Sequence, residues 1–372
     1  MPVASSFATS NQTPSRRRPR HPEAALKIIV ASTVVPFLYG GYTVIVDSLA
    51  DQLTRAGHEV EVLKFPFSSR QDELLDQMTA LRLLDLTEHG DRLITVRFPS
   101  YLLRHPKKVV WFIHHHRGAY DLWGTRYQDI PLTPEGTRIR DSIMNADRRG
   151  LSECHRVFSN SKVVARRLKQ YNSIDAEVLY PPLPNAENYR CTRYGDTVLY
   201  LNRLVHHKRQ WLAIEAMRHV RSEVKLLIAG KADPDASAYV DELHSLVHRH
   251  KLKDRVTIFD DWIGEDRKIK LFSECLAAAY FPVDEDSYGY PSLEAHQSGK
   301  AVLTTSDSGG TLELIVDGRN GLVSSPEPIA IAEALDQLYT DRSKTRAMGE
   351  AGAARMQELG ISWDRVLDRM LS

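Results

Sequence analysis

Short apolar runs alternate with amphipathic helical patterns along most of this chain. The first run, Lys27–Val30, precedes a Pro- and Gly-containing loop and then a segment whose apolar residues recur at helical spacing until Gly57. Continuous apolar runs such as Val109–Ile113 are typical of strands buried in parallel sheets. The pattern predicts further strands at Val60–Val62, Arg156–Ser159 and Glu177–Tyr180, and helices over 70–90 and Lys162–Gln170.

A second series of the same kind follows a break. Residues 183–195 contain Pro and Gly and have no hydrophobic period, so they are predicted to be a linker. Strands are predicted after it at Thr197–Leu201, Lys225–Ala229, Val256–Phe259, Leu276–Phe281 and Ala301–Thr304. Two such series indicate two doubly wound, Rossmann-like α/β domains, over 26–185 and 196–355, whose ligands bind at the carboxyl ends of the strands. We therefore expect the site in the cleft between them.

Composition supports an ordinary globular chain. The 372 residues are 42% hydrophobic and 26% charged, which fits about two domains. Lys and Arg total 49 against 48 Asp and Glu, so the net charge of +1 gives no global field toward nucleic acid. The three cysteines, Cys154, Cys191 and Cys275, have no CxxC spacing, which argues against a disulfide framework or a zinc site and fits a reducing compartment.

The beginning of the chain allows two interpretations. Ile28–Val46 carries no charged residue and follows Arg16–Arg18, as a transmembrane helix or a twin-arginine signal would. Its proline and two glycines instead favour a strand, a loop and a helix start. Residues 1–25, rich in Ser, Thr, Pro and Arg, predict a disordered basic tail. A solvated tail is favoured over one that contacts anionic lipid or nucleic acid.

The first candidate for chemistry is the loop Asn202–Lys208, between a predicted strand and a predicted helix. Arg203 and Lys208 are expected at the carboxyl end of the strand and near the helix N-terminus, where cations and free backbone N–H groups meet an anion. A diphosphate fits that chemistry. A solvated basic loop is the alternative, because Arg and Lys are common at such turns.

The second candidate is the acidic loop Asp284–Glu294. Its carboxylates can accept hydrogen bonds from sugar or ribose hydroxyls, and Gly289 permits close backbone approach before Pro291 opens a helix. A Mg²⁺ or Mn²⁺ site on Asp284–Asp286 is a weaker alternative, since Arg203 and Lys208 already supply positive charge.

Two further segments are less specific. Gly309 and Gly310 follow a predicted strand and resemble an anion nest, although a plain turn explains them equally well. The histidines 114–116 end a buried strand; strand alternation puts His114 and His116 on one face if the strand extends that far. Substrate positioning, a structural hydrogen bond and a zinc pair without a third ligand are the alternatives for them.

Together these segments resemble the retaining glycosyltransferases of family 4, which have the GT-B fold and include bacterial sugar transferases. The resemblance covers nearly all of the chain after the tail and rests on seven motifs in order. They are the glycine loop, helix and GHEV strand of 36–60, Ser159–Ser161, Tyr180–Pro182, Tyr200–Lys208 like GRLxxxK, Leu226–Gly230, Asp286–Glu294 like E-x7-E, and Gly309–Glu313 followed by Asp317–Leu322.

The resemblance implies specific roles. Arg203 and Lys208 would bind the donor diphosphate and stabilise the leaving nucleotide, Asp286 would hold the donor sugar, and His114 would lie near donor sugar and acceptor. Donor-binding positions carried over from the family are Glu294 at the ribose, Gly289, Tyr290, Gly230, Gly309, Gly310 and Gly41. Acceptor-binding positions, more weakly indicated, are Gly40, His116 and Arg117.

The implied reaction moves a sugar from a nucleotide diphosphate sugar, UDP- or GDP-linked, to a hydroxyl of a saccharide or lipid-linked saccharide, with retention. No metal or other cofactor is expected, and the segment 98–123 resembles envelope or exopolysaccharide transferases. The expected location is the cytoplasm, with weak peripheral membrane contact at most, and residues 356–372 are expected to form a helix against the first domain.

Two departures keep other functions open. Asp286 stands where the family has glutamate, and Asn202 where it has glycine. A non-catalytic nucleotide-binding or scaffold partner with the same fold is therefore the alternative. A dehydrogenase is disfavoured, because no GxGxxG follows any predicted strand.

Overall fold

The computed structural model describes residues 25–37, 40–68, 70–125, 128–232 and 237–372. Apart from Ala25, the predicted tail lies outside these residues. The uncharged stretch near the N-terminus forms a strand, Lys27–Val34, and the start of a helix, Gly41–Arg55. Within the described ranges, no helix combines the length and apolar character needed to cross a membrane.

The first domain contains a six-stranded parallel sheet. Its strands are β1 (Lys27–Val34), β2 (Glu59–Pro66), β3 (Arg92–Thr95), β4 (Lys108–Phe112), β5 (Arg156–Ser159) and β6 (Glu177–Val178). The spatial order is β2-β1-β3-β4-β5-β6, so the chain reverses direction of winding between β1 and β3. Loops that follow β1 and β3 therefore flank the crevice where ligands of such sheets bind.

The second domain repeats this architecture. Its strands are β7 (Thr197–Leu201), β8 (Lys225–Ala229), β9 (Val256–Phe259), β10 (Ala277–Ala279), β11 (Val302–Thr305) and β12 (Gly321–Ser324). The order β12-β11-β10-β7-β8-β9 places the reversal between β7 and β10. The loops after these two strands carry Arg203 and the acidic loop, so the topology brings two predicted motifs together.

Helices cover both sheets. Those of the first domain are α1 (Gly41–Arg55), α2 (Gln71–Leu83), α3 (Pro134–Ser152) and α4 (Lys162–Asn172). Those that follow are α5 (Gln210–Met217), α6 (Ser237–Arg249), α7 (Glu265–Glu274), α8 (Tyr290–Gln297), α9 (Thr311–Leu314), α10 (Pro328–Thr340), α11 (Arg342–Glu358) and α12 (Trp363–Leu371). In α1, the helical spacing of Ile45, Val46, Leu49 and Leu53 buries one face in the first core.

The last helix returns to the first domain. Val366 and Met370 of α12 are fully buried in the core cluster built on β1, β4 and α1. Trp363 packs edge-to-face on Trp111 with ring centroids 6.4 Å apart, and Arg369 pairs with Glu177 at 2.6 Å. The chain thus passes between the domains twice.

The structure corrects several predicted boundaries. The strand expected at 276–281 is limited to Ala277–Ala279, the one expected at 177–180 ends at Val178, and the helix expected over 70–90 ends at Leu83. Strands β3 and β12 and helix α3 were not predicted. Strand β12 begins at a glycine, a residue typical of turns, and α3 carries many charged residues on its exposed face.

Candidate active site

A cleft of about 830 Å³ lies between the two domains, at the carboxyl ends of both sheets. Both domains contribute predicted site residues to its wall. Those that line it are Gly41, His114, His116 and Arg117 from the first domain and Arg203, Asp286, Gly289 and Tyr290 from the second. The structure therefore brings together eight of the predicted positions at one place.

The other predicted positions are not part of the cleft wall. They are Gly40, Lys208, Gly230, Glu294, Gly309 and Gly310. Gly230 has a packing role, because a Cβ there would lie 1.9 Å from the carbonyl oxygen of Asn202. It allows the strand end after β8 to pack against the loop that carries Arg203.

Lys208 is held by the acidic loop. Its Nζ forms an ion pair with Glu285 and donates to the Tyr280 hydroxyl at 3.0 Å. Burial raises the pKa of Glu285, but Lys208 and the Tyr280 hydroxyl more than offset this effect and lower it to about 2. Lys208 therefore neutralises and positions Glu285, and Arg203 is the member of the predicted cation pair that lines the cleft.

Glu294 lies in a buried charged network behind the cleft. Lys268 contacts Glu294 and Glu265, each at 2.7 Å, and the Tyr189 hydroxyl lies 3.3 Å from Glu294. Burial raises the pKa of Glu294, although Lys268 opposes the shift. The predicted ribose-binding carboxylate is thus preoriented by two residues, Lys268 and Tyr189, that no sequence motif marked.

Glycines fix the shape of the acidic loop. Gly289 has φ +70°, and a Cβ there would lie 2.4 Å from the Tyr280 ring. Gly309 has φ +59°, and its Cβ would collide with the backbone of Asp284 and Glu285. Gly310 packs in the same way against Ser287. In this structure the two adjacent glycines support the acidic loop from behind.

Carboxylates of the acidic loop pair with arginines of the opposite domain. We call Arg117, Arg167, Asp121, Asp284 and Asp286 the interdomain cluster. Arg167 of α4 binds Asp286 and lies 2.7 Å from Asp284 and 3.4 Å from Asp121. Arg117 lies 2.6 Å from Asp121 and 3.9 Å from Asp286. Burial raises the pKa of Asp286, with the guanidinium groups opposing the shift. The cluster joins the two walls of the cleft.

The N-terminus of α4 makes a second connection between the domains. Glu313 accepts hydrogen bonds from the backbone N–H groups of Lys162 and Val163, both at 2.9 Å, and from the Tyr180 hydroxyl at 2.6 Å. A carboxylate is favourable there because the first N–H groups of a helix have no partner within the helix. Glu313, predicted only as part of a glycine motif, thus caps a helix of the other domain.

His114 lies half-buried in the cleft as a neutral imidazole. Burial lowers the pKa of His114 below its usual value. Its Nδ1 lies 2.7 Å from the carbonyl oxygen of His115, which can only accept, so Nδ1 carries the proton. The remaining nitrogen, Nε2, is therefore an acceptor, suited to a hydrogen bond from a sugar hydroxyl.

The other two histidines differ from the alternation that the sequence suggested. Strand β4 ends at Phe112, so strand geometry does not extend to the histidines. Burial lowers the pKa of His115 to about 4, and its Nε2 donates to Asn172 at 2.7 Å. The His116 ring packs on Phe98, with centroids 5.5 Å apart, and its Nε2 lies 3.4 Å from Asp129.

No group of three or more His, Cys, Asp or Glu side chains in the described ranges is arranged to hold a metal ion. The acidic residues for which the sequence allowed a metal site form ion pairs instead: Glu285 with Lys208 and Asp284 with Arg167.

Arg97, which follows β3, also lines the cleft and was missed because β3 was missed. An arginine directly after an apolar strand was the signal that could have revealed it.

Two facing Rossmann-like domains with the site in the cleft between them define the GT-B class of glycosyltransferase fold. Residues 194–355 match the family described as glycosyl transferases group 1. This match lies in the second domain and agrees with the resemblance to family 4 that the motifs of that domain carry.

Named relatives agree with this class. Human alpha-1,3/1,6-mannosyltransferase ALG2 is 29% identical over 69% of this chain, and the match spans 65% of that protein's length. The D-inositol 3-phosphate glycosyltransferase of Xylanimonas cellulosilytica is 24% identical over 89% of this chain and 90% of its own. Both relatives are named as glycosyltransferases, in line with the predicted class.

Solved structures share the fold. Sucrose-phosphate synthase from Thermosynechococcus elongatus has a TM-score of 0.72 at 17% identity, covering 92% of this chain and 97% of its own. Anabaena HepE, solved with UDP and glucose, has a TM-score of 0.66 at 19% identity, covering 93% and 99%. At these identities the likeness supports the GT-B fold and carries no information on substrate.

Proposed function

We propose that this protein transfers a hexosyl group from a UDP- or GDP-linked sugar to a hydroxyl group of a saccharide or lipid-linked saccharide, with retention of anomeric configuration. The observation that carries the proposal is the interdomain cleft, where Arg203, His114 and the backbone around Gly289 converge. Its volume suits a small-molecule substrate, for which sites of ~300–1,000 Å³ are usual. The product belongs to envelope, exopolysaccharide or other glycoconjugate synthesis.

The donor diphosphate binds in this proposal at the switch point of the second domain. Arg203 lines the cleft there, and Lys208 acts from behind through Glu285. The positive charge of Arg203 stabilises the negative charge that develops on the leaving nucleotide, so the reaction requires no metal ion. Gly41 approaches Tyr290 across the cleft, with a Cβ position 3.5 Å from the ring, which supports a donor site closed by the glycine loop.

The chemical step exchanges one bond at the anomeric carbon. The bond to the diphosphate oxygen breaks and a bond to the acceptor oxygen forms on the same face, while the acceptor proton passes to the departing phosphate. His114 accepts a hydrogen bond from a sugar hydroxyl through Nε2, which orients the donor without moving a proton. Asp286 binds the same sugar while it is held by Arg167.

Donor and acceptor identity are open within this proposal. A Mycobacterium tuberculosis relative is named for use of GDP-mannose, and UDP is retained beside GDP because the resemblance of the motifs implies either base. Arg117 and His116, which line the cleft, contact the acceptor in this proposal. The expected location, cytoplasmic with at most peripheral contact at the inner membrane face, stays a prediction.

A panel of UDP-, GDP- and ADP-sugars with saccharide acceptors tests the proposal. We expect acceptor-dependent nucleotide release from one donor, and a product whose anomeric configuration, measured by NMR coupling constants, matches that of the donor. Calorimetric titration with UDP, GDP and ADP identifies the alternative: a non-catalytic partner would bind a nucleotide without turnover, or bind none. Inversion of configuration would contradict retention alone.

A further inference from the structure

Arg97 lies at the ligand-binding crevice of the first domain. It follows β3, and Gly41 and Tyr42 at the start of α1 follow β1, so the three residues flank the point where the winding of this sheet reverses. All three line the interdomain cleft. Arg97 thus flanks the reversal point of the first sheet, as Arg203 flanks that of the second, although the two arginines follow strands on different sides of the reversal.

The guanidinium group of Arg97 is fixed in place by aromatic rings. It lies 4.5 Å from the centroid of Tyr42 and 5.7 Å from that of Phe67. Phe67 packs on Phe98 at 5.7 Å, and Phe98 packs on His116. Aromatic faces beside one rigid cation suit a ligand that has both an apolar face, as a sugar ring does, and a negative charge.

No carboxylate in the described part of the chain forms an ion pair with Arg97. The carboxylates that line the cleft are directed to other cations: Asp121 to Arg117, Asp284 and Asp286 to Arg167, and Glu285 to Lys208. The Nη1 atom of Arg97 is buried and has no hydrogen-bond acceptor among the described residues. A buried charged donor in this state is a strong attractor for an anion.

We propose that Arg97 binds a carboxylate or phosphate group of the acceptor, so that the acceptor is an acidic or phosphorylated saccharide. This inference rests on the proposed function, because it takes the first domain as the acceptor domain. Arg203 and Arg97 repel each other, and burial lowers the pKa of Arg97. Two anions, one on the donor and one on the acceptor, relieve that repulsion from both sides of the cleft.

Calorimetric titration of the full chain tests the inference without requiring turnover. The probes are glucose 6-phosphate, glucuronic acid and glucose, and the variants are R97Q, R97K and, as a control, R138Q at an exposed arginine of α3. We expect the wild type and R138Q to bind the two acids at least about tenfold more tightly than glucose, the scale of one charge-assisted contact. R97Q loses this preference, and R97K, which keeps the charge, recovers part of it.

Three results overturn the inference: equal affinity for acids and glucose, no binding of either acid, or an R97Q variant that keeps the preference. Titration with UDP and GDP separates the two sources of phosphate. R97Q affinity for both nucleotides within twofold of wild type supports an acceptor role, whereas a tenfold loss assigns Arg97 to the donor and refutes the proposal. A preserved preference for acids together with no transfer from any nucleotide sugar refutes the proposed function and not the anion site.

Discussion

Replacing Arg167 by methionine removes the centre of the interdomain cluster while keeping most of the side-chain volume. Arg167 is 8% exposed and contacts three carboxylates, Asp121, Asp284 and Asp286. Two of them belong to the acidic loop of the other domain. We expect R167M to fold and to favour an open arrangement of the domains, because α4 loses its charged link to that loop.

The expected effect of R167M on the closed–open equilibrium follows from the burial of Arg167. Removing one partner of a buried ion pair costs ~3–5 kcal/mol, since the other charge is left without compensation. Arg117 still lies 3.9 Å from Asp286 and 2.6 Å from Asp121, so the lower end applies. About 3 kcal/mol corresponds to ~100-fold in the equilibrium between closed and open forms. If closure precedes transfer, kcat/KM falls by a similar factor.

Small-angle scattering and nucleotide-release kinetics measure the two effects. Arg166, the exposed neighbour on α4, supplies the matched control R166M, for which both quantities stay at wild-type values. D284N removes a partner that is 56% exposed and is expected to lower kcat/KM less than tenfold. An R167M variant with wild-type radius of gyration and kcat/KM within twofold of wild type would refute the reasoning.

Four further predictions concern other parts of the molecule. R203A is expected to lower kcat/KM by ~2–4 kcal/mol of transition-state stabilisation, measured by nucleotide release, and a wild-type rate would contradict its role at the diphosphate. K208A is expected to lower both the thermal midpoint and kcat, because Glu285 then lacks its cation. The double variant K208A/E285Q is expected to recover the thermal midpoint but not kcat. Recovery of both quantities would show that Lys208 has no role in catalysis. Burial raises the pKa of Asp147, which accepts hydrogen bonds from Tyr101 and Tyr120, from 3.8 to about 7. Because the folded state favours the protonated form, the free energy of unfolding falls from pH 4 to pH 7 and then levels. Denaturant unfolding of D147N is expected to show a flatter pH profile. Chelation with EDTA is expected to leave transfer unchanged, and loss that Mg²⁺ restores would refute metal independence.

Much of the fold follows from short-range patterns. Three strands of the second domain, Thr197–Leu201, Lys225–Ala229 and Val256–Phe259, have the bounds that the sequence predicted. The apolar residues of β7 and β8 are largely buried, so burial and sequence coincide in these two strands. Strand β3, RLIT, was missed although the equally short strand Arg156–Ser159 was predicted, and its pairing with β1 and β4 defines it as a strand.

The candidate site was less accessible to sequence reasoning. Motifs identified Arg203, His114 and Asp286, which the strand ends bring to one cleft. They gave no sign that Arg167 would bind Asp286 or that Lys268 would bind Glu294, since these contacts join segments 119 and 26 residues apart. Such pairings depend on how two domains or two helices approach each other. A single sequence contains no local pattern that indicates which of these distant segments will come into contact.

Helix α12 has a consequence for the order in which this protein acquires its structure. Met370 and Val366 complete a core whose other members begin at Ile28. During synthesis, the first domain therefore waits, with that part of its apolar surface uncovered, until the whole second domain has been made. M370A, which leaves a cavity costing ~2–5 kcal/mol, is expected to lower the unfolding temperature of the first domain more than that of the second in calorimetry. The domain that is translated first is thus the one that finishes folding last.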